Sequence, residues 1–195
     1  MSENAPDRRV RRTQTALAEA LLALLQRHDW DAISVQMICD RADVARASFY
    51  AHFGNKAVLM DHLFAVNTGE LRSMIRAAPR MPNDVVTLRW LAEHIAEGRA
   101  FHRKTLQSAS GQLLLSRFKI SVAEILTEEL LSLNPDADAT ALDFAMGGAF
   151  AVISDWALRG GPESTAQITA KVTRLTWRAL GRDLDAAGEL TVPAR

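Results

Sequence analysis

The chain has 195 residues, 48% of them hydrophobic, which is enough apolar material for a buried core in one or two domains. Its single cysteine excludes an internal disulfide framework, and its formal net charge is zero. No apolar run approaches the roughly 18 residues of a membrane span, and no apolar segment follows the first charges as in a secretory signal. We therefore expect a soluble, cytoplasmic protein without a membrane partner.

The first third of the chain predicts short helices separated by turns. Leucines at helical spacing predict a first helix over Thr13–Arg27. Ser34 is a suitable N-cap for a second helix, a third is expected over Ala45–His52, and a fourth begins near Asn55 and runs to about Met74. Four arginines just before the first helix concentrate positive charge there, although the chain is neutral overall.

The remaining two thirds also predict helices. Pro79 and Pro82 mark a break, because proline ends helices. No convincing strand, internal repeat or low-complexity tract follows, and the tail from Gly181 is polar. The apolar spacing and the breakers predict helices over Asn83–Gly98, Phe101–Leu106, Leu113–Leu133, Asp138–Leu158 and Ser164–Leu180.

The most informative segment is 34–56, which has the pattern of a helix-turn-helix. Ile38, Cys39 and Phe49 are expected to face the interior. The third helix would then expose short polar side chains, and the DNA major groove admits one such helix. Arg46 and Gln36 suit base edges, since arginine pairs with guanine and glutamine with adenine.

This segment resembles the TetR family of transcriptional regulators. Residues 48–56 read Ser-Phe-Tyr-Ala-His-Phe-Gly-Asn-Lys and are similar to the family's recognition-helix signature, and the likeness extends over about residues 10–60. Two positions depart from the pattern. Asp43 replaces the usual turn glycine but tolerates a left-handed backbone, and Ala45 replaces a serine or threonine and has no oxygen for capping.

The resemblance implies an all-α protein with a three-helix DNA-binding head and a helical ligand-binding and dimerisation bundle. The expected organisation is a flexible basic arm (1–9), the head (10–56), the body (57–182) and a flexible tail (183–195). Tyr50 and Lys56 correspond to phosphate contacts of the family, Lys56 being placed where a helix N-terminus also favours an anion. The predicted DNA-binding residues are Arg12, Gln36, Arg46, Ala47, Ser48, Tyr50, His52 and Lys56.

The family's body binds a small molecule and forms a homodimer, so the resemblance also predicts an effector pocket and a subunit interface. Aromatic and methionine side chains are also common in the cores of helical bundles. The alternative is therefore that these residues are core residues and line no pocket. Candidate pocket residues are Trp90, His94, Phe101, Phe118, Met146, Phe150 and Trp156. Candidate interface residues are Gly147, Gly148, Ala151, Ile168, Val172 and Leu175.

The glycine pair at 147 and 148 is costly inside a helix, at about 1 kcal/mol each relative to alanine. Close approach of another backbone at a dimer interface would offset this cost. The alternative is relief of crowding inside one subunit or beside a ligand.

No catalytic, cofactor or metal motif accompanies these features, so we expect no cofactor, no bound metal and no enzyme activity. His-Glu-x-x-His and Glu-x-x-His spacings and Gly-rich phosphate loops are absent from the sequence. The expected function is a repressor that a small apolar effector releases from a palindromic operator in double-stranded DNA. Two alternatives remain: a helix-turn-helix protein without an effector, and a helical carrier or enzyme with a lookalike motif.

Overall fold

The computed structural model describes residues 5–105, 108–185 and 187–192, without the side chains of residues 5–7 and 104. The predicted all-α architecture is confirmed. The chain divides into two compact units. Unit 1 comprises Met1–Asn67 and Arg103–Leu115, and unit 2 comprises Thr68–His102 and Ser116–Arg195.

Unit 1 begins with α1, which starts earlier than the sequence pattern predicts. It spans Ala5–Leu25 instead of starting at Thr13, so residues 5–9 of the predicted arm are helical and residues 1–4 lie outside the described chain. Pro6 does not prevent this, because proline is tolerated in the first helical turn. A one-turn 3-10 helix (Trp30–Ala32), α2 (Val35–Ala42), α3 (Arg46–His52) and the first part of α4 (Lys56–Ala77) follow.

The core of unit 1 has the predicted apolar faces. Leu17 and Leu21 of α1 are completely buried, as are Ile38 of α2 and Phe49 of α3. Phe49 packs against Phe53 with ring centres 5.9 Å apart. Burying a phenylalanine side chain stabilises the fold by about 1.5–3 kcal/mol, so this face of α3 is fixed to the core and the opposite face points to solvent.

Unit 2 is a bundle in which α5 packs on α8 and α9, and α8 packs on α9. A buried carboxylate fixes the start of α5: Glu129 of α7 accepts hydrogen bonds from the backbone N–H groups of Val86 at 2.7 Å and Thr87 at 2.9 Å. Leu106, the predicted end of α6, lies outside the described residues. The helices are α5 (Val86–Glu97), α6 (Arg99–Thr105), α7 (Ala109–Leu133), α8 (Ala139–Arg159) and α9 (Thr165–Ala179).

The prediction that the chain lacks strands is wrong at its end. Asp183–Leu184 (β1) pairs antiparallel with Leu190–Thr191 (β2). Strands of two residues are too short to produce an alternating pattern, so the sequence gives no signal for them. Residues 186 and 193–195 of the predicted flexible tail lie outside the described chain.

α8 is the one helix of the described residues that is long and apolar enough to cross a membrane, with a mean hydropathy of 1.3. Length and composition are weak evidence, because a core helix of a soluble protein passes the same test. Ile153 of α8 is completely buried, while Asp143 and Asp155 are exposed, an arrangement typical of a helix packed in a bundle.

Candidate nucleic-acid interface

The turn before α3 has the geometry of a helix-turn-helix. Ser34 caps α2 by accepting a hydrogen bond from the Met37 N–H at 3.1 Å. Asp43 takes the left-handed conformation at φ 53° and ψ 46°, as predicted for the residue that replaces the turn glycine. Ala45 is the N-cap residue of α3 and contributes no side-chain hydrogen bond. The turn therefore forms without glycine, and α3 begins without a side-chain cap.

The two faces of α3 differ sharply. Phe49 is completely buried, whereas Tyr50 is 51% exposed and Arg46 and Ala47 are also exposed. Ser48 and His52 are half-buried along one side of the helix. The exposed face thus offers a cation, a methyl group and a phenol, the chemistry needed for a guanine edge, a thymine methyl and a phosphate.

Arg46 and Tyr50 act as a pair on this face. The guanidinium carbon of Arg46 lies 5.9 Å from the centre of the Tyr50 ring. A side-chain hydrogen bond to the Tyr50 oxygen raises the pKa of Arg46 above its ordinary value. The guanidinium is charged in any case, so the consequence is orientation: Arg46 and Tyr50 present their polar groups side by side.

A shallow groove of about 770 Å³ runs between α1 and α3 in unit 1. From α1 it is lined by Arg9, and from α3 by Ser48 and His52. Arg12, the arginine that the sequence analysis selected, is exposed on α1 but does not line this groove. The sequence could not separate the two arginines, because both fall in one basic cluster and only the helical rotation of α1 distinguishes them.

Gln36 already has a partner on its own helix. Its amide nitrogen donates a hydrogen bond to Asp40 Oδ1 at 2.5 Å. An amide NH₂ carries two protons, so one remains for a base edge. To contact a base, as predicted, Gln36 must either use its second amide proton while keeping the hydrogen bond to Asp40, or break that hydrogen bond.

The Lys56 ammonium group is hydrogen-bonded to the backbone of the turn between α1 and α2. Its Nζ donates hydrogen bonds to the carbonyl oxygens of Trp30 at 2.6 Å and Ile33 at 2.8 Å, and it lies 4.6 Å from the centre of the Trp30 ring. Burial lowers the pKa of Lys56, and the nearby Asp31 carboxylate opposes this effect.

Cys39 is a buried free thiol within this unit. Burial raises the pKa of the Cys39 thiol, with Arg46 acting in the opposite direction. A raised pKa disfavours the reactive thiolate, so Cys39 serves as a small apolar core residue.

The comparisons agree with this geometry. Residues 17–63 match the model of the family described as "Bacterial regulatory proteins, tetR family". A Bacillus subtilis (strain 168) protein named "Uncharacterized HTH-type transcriptional regulator YxbF" is 34% identical over 70 residues, which cover 35% of this chain and 18% of that protein. The match therefore spans under a fifth of the length of that relative.

Solved structures resemble a much larger part of the chain. The dihydroxyacetone kinase operon activator DhaS has a TM-score of 0.64 at 20% identity, covering 86% of this chain and 96% of that one. A TetR transcriptional regulator from Streptococcus agalactiae 2603V has 0.60 at 18% identity, covering 88% and 97%. The regulator FadR from Bacillus subtilis, in complex with stearoyl-CoA, has 0.59 at 13% identity, covering 83% and 96%. At these identities, the likeness establishes the fold.

In unit 2 the predicted effector residues separate into several groups. Trp90 stacks on His94 with ring centres 4.7 Å apart, and His94 stacks on Phe118 at 5.2 Å. His102, which the sequence analysis did not assign to the pocket, completes this cluster at 5.6 Å from His94, and Phe101 contacts His102 at 5.2 Å. We call Trp90, His94, Phe118, Phe101 and His102 the imidazole cluster.

The other three predicted pocket residues make different contacts. Thr127 donates a hydrogen bond to the sulfur of Met146 at 2.9 Å, and the Lys119 ammonium lies 5.3 Å from the centre of the Phe150 ring. Trp156 donates to the Glu163 carbonyl oxygen at 2.9 Å. A cleft of about 370 Å³ elsewhere in unit 2 is lined by none of the seven predicted residues, but by Arg72, Ile75, Arg76, Ile125, Glu128 and Glu129 among others.

His102 is the most unusual member of the imidazole cluster. It is 5% exposed, and its Nε2 has no hydrogen-bond partner among the described residues. Burial lowers the pKa of His102 to about 4, with a smaller contribution from His94. Burial also lowers the pKa of His94. Both imidazoles are therefore neutral at pH 7, and the Nε2 atom of His102 is buried without a hydrogen-bond partner among the described residues.

The predicted dimer residues divide between surface and core. Gly147, Gly148 and Ala151 are exposed on α8, and Leu175 of α9 is 48% exposed. A Cβ added at either glycine meets no atom of the described chain within 4 Å, so crowding inside one subunit does not explain these glycines. Ile168, in contrast, is only 2% exposed and packs into its own chain.

An apolar groove of about 210 Å³ crosses this face of α8 and α9. Gly148 lines it from α8, and Val172 and Leu175 line it from α9. Phe144, which the sequence analysis did not select, also lines it and is 74% exposed. No group of three or more potential metal ligands occurs among the described residues.

Proposed function

We propose that this protein is a transcriptional regulator that binds a palindromic operator in double-stranded DNA as a homodimer. The observation that carries the proposal is α3, where Phe49 fixes one face to the core and Arg46, Ala47 and Tyr50 occupy the other. Contacts to the DNA backbone beside the groove would come from Ser48 and His52 of α3 and from Arg9 and Arg12 of α1. Gln36 would add a base contact from α2.

The second part of the proposal is the subunit interface formed by α8 and α9. A large phenylalanine exposed beside two uncrowded glycines is unusual on a surface that faces only water. A second copy of the same face would bury Phe144 and Leu175 and would join two recognition helices in one dimer. This interface also accounts for the apolar composition of α8 in a cytoplasmic protein.

The third part is an effector that binds unit 2 and releases the DNA, which makes the protein a repressor. The imidazole cluster supports this part, since it combines aromatic walls with the unpaired Nε2 of His102. A small, mostly apolar molecule with one hydrogen-bonding group would match the chemistry of these side chains. An effector that binds the released state more tightly shifts the population of dimers away from DNA.

Selection of bound sequences from a random double-stranded DNA library tests the function. The proposal expects an inverted repeat with two half-sites, and the same selection with Arg46→Ala should lose the preference at one position per half-site. Recovery of no preferred sequence at low salt would overturn it and favour a helical carrier or enzyme. A selected operator that no compound in a broad apolar library releases would support the effector-free alternative.

A further inference from the structure

Lys56 begins α4, and the sequence suggests an anion site there for two reasons: a free helix N-terminus and a lysine beside it. The structure weakens the first reason. Asn55 Oδ1 accepts hydrogen bonds from the N–H groups of Ala57 at 2.8 Å and Val58 at 3.1 Å. Two of the amides that would hold a phosphate therefore already have a partner.

The structure also gives the lysine a different partner. Two of the three ammonium protons are donated to the carbonyl oxygens of Trp30 and Ile33, and the indole ring of Trp30 lies within cation–π distance. These groups are 26 and 23 residues away in sequence, so the contact ties the start of α4 to the turn between α1 and α2.

We propose that Lys56 is a positioning residue, which holds the Trp30–Ile33 turn to the start of α4 and acts on DNA binding through that turn instead of by contacting a phosphate. The turn leads directly into Ser34, the cap of α2, which packs against α3. The same turn is held on another side, because Ser110 donates a hydrogen bond to Asp31 Oδ2 at 2.6 Å. Loosening the turn therefore disturbs the placement of α2 and α3.

Salt dependence separates the two roles, since each phosphate contact contributes about −0.9 to the slope of log K against log salt concentration. This test rests on the proposed function. For Lys56→Met, which keeps the apolar stem but removes the charge, we expect weaker operator binding with an unchanged slope. Arg12→Gln serves as a control for the loss of a proposed phosphate contact and should reduce the slope magnitude by about 0.9 per subunit, or about 1.8 for the dimer. A similar reduction for Lys56→Met would overturn the proposal.

A second experiment uses the unmodified protein without DNA and does not depend on the proposed function. Acetylation with an amine-reactive reagent, followed by mass spectrometry, compares Lys56 with the exposed Lys119. The positioning role predicts that Lys56 is modified several-fold more slowly than Lys119 before any DNA is added. Equal rates without DNA, with protection of Lys56 only in the operator complex, would overturn it. Failure of the protein to bind DNA would reject the proposed function while leaving this result interpretable.

Discussion

The guanidinium carbon of Arg46 lies 5.9 Å from the centre of the Tyr50 ring, one helical turn away on the exposed face of α3. In the proposed complex, the Arg46 cation reads a base edge while the Tyr50 phenol binds a phosphate of the DNA backbone. The two residues therefore predict different mutational effects.

Tyr50→Phe should weaken binding to every DNA sequence by a similar factor. A phosphate contact positions the protein without reading sequence, and a lost hydrogen bond to a charged group corresponds to about 1.5–3 kcal/mol. Stability should change little, because Tyr50 is 51% exposed. Titration of operator and unrelated DNA at matched salt measures the effect. Unchanged affinity for both DNAs would reject the phosphate contact.

Arg46→Ala should relax discrimination at one base step in each half-site, by about 1–3 kcal/mol against the preferred base. Competition assays with operators changed at single positions measure this loss. Arg41→Ala, on the exposed surface of α2, is a control for removal of a positive charge from the same unit. If Arg46→Ala weakens all operator variants equally, Arg46 belongs with the phosphate contacts.

Gly148→Leu should produce a folded monomer, because the added side chain fills the groove that a second copy needs. A Cβ added at this position meets no atom of the described chain within 4 Å, and replacing a mid-helix glycine adds helix propensity. Gly69→Leu on α4 is the matched control, since a Cβ there also meets no atom of the described chain within 4 Å. Analytical ultracentrifugation distinguishes the outcomes: a dimer in both variants places the interface elsewhere.

Stability should fall on acidification because of His102. Its folded-state pKa of about 4 lies below the ordinary value of 6.5, so the unfolded chain binds the proton more tightly. The penalty is absent above pH 6.5, grows as the pH falls towards 4, and reaches at most about 3 kcal/mol. His102→Asn does not titrate in this range. Chemical denaturation between pH 7.5 and 4 should show a weaker pH dependence for the variant, and parallel curves would contradict the assignment.

An effector that releases DNA should change the emission of Trp90, which stacks on His94, more than that of Trp156, which is bonded to Glu163. Compounds selected for operator release can be titrated against variants that retain single tryptophans. The operator should weaken the compound's apparent affinity by the factor by which the compound weakens DNA binding. An affinity independent of operator would show that the compound does not act through a conformational switch.

The sequence alone predicted the features that depend on short-range patterns. Helical spacing of apolar residues identified the faces of α1, α2 and α3, and Asp43 and Ser34 marked the turn and the cap. The recognition motif lies within one continuous segment, so no distant contact is needed to detect it. The uncrowded glycines at 147 and 148 were also visible as an anomaly of local helix propensity.

Tertiary structure decided which side chains meet across long sequence separations. It placed the Lys56 ammonium on two carbonyl oxygens more than twenty residues away, buried Ile168 in its own chain, and exposed Phe144 beside the glycines. It also placed His94 between Trp90 and His102, and paired two strands too short to have a pattern. Each outcome depends on how helices rotate and pack against distant partners, and the periodicity of a single helix carries no information about those partners.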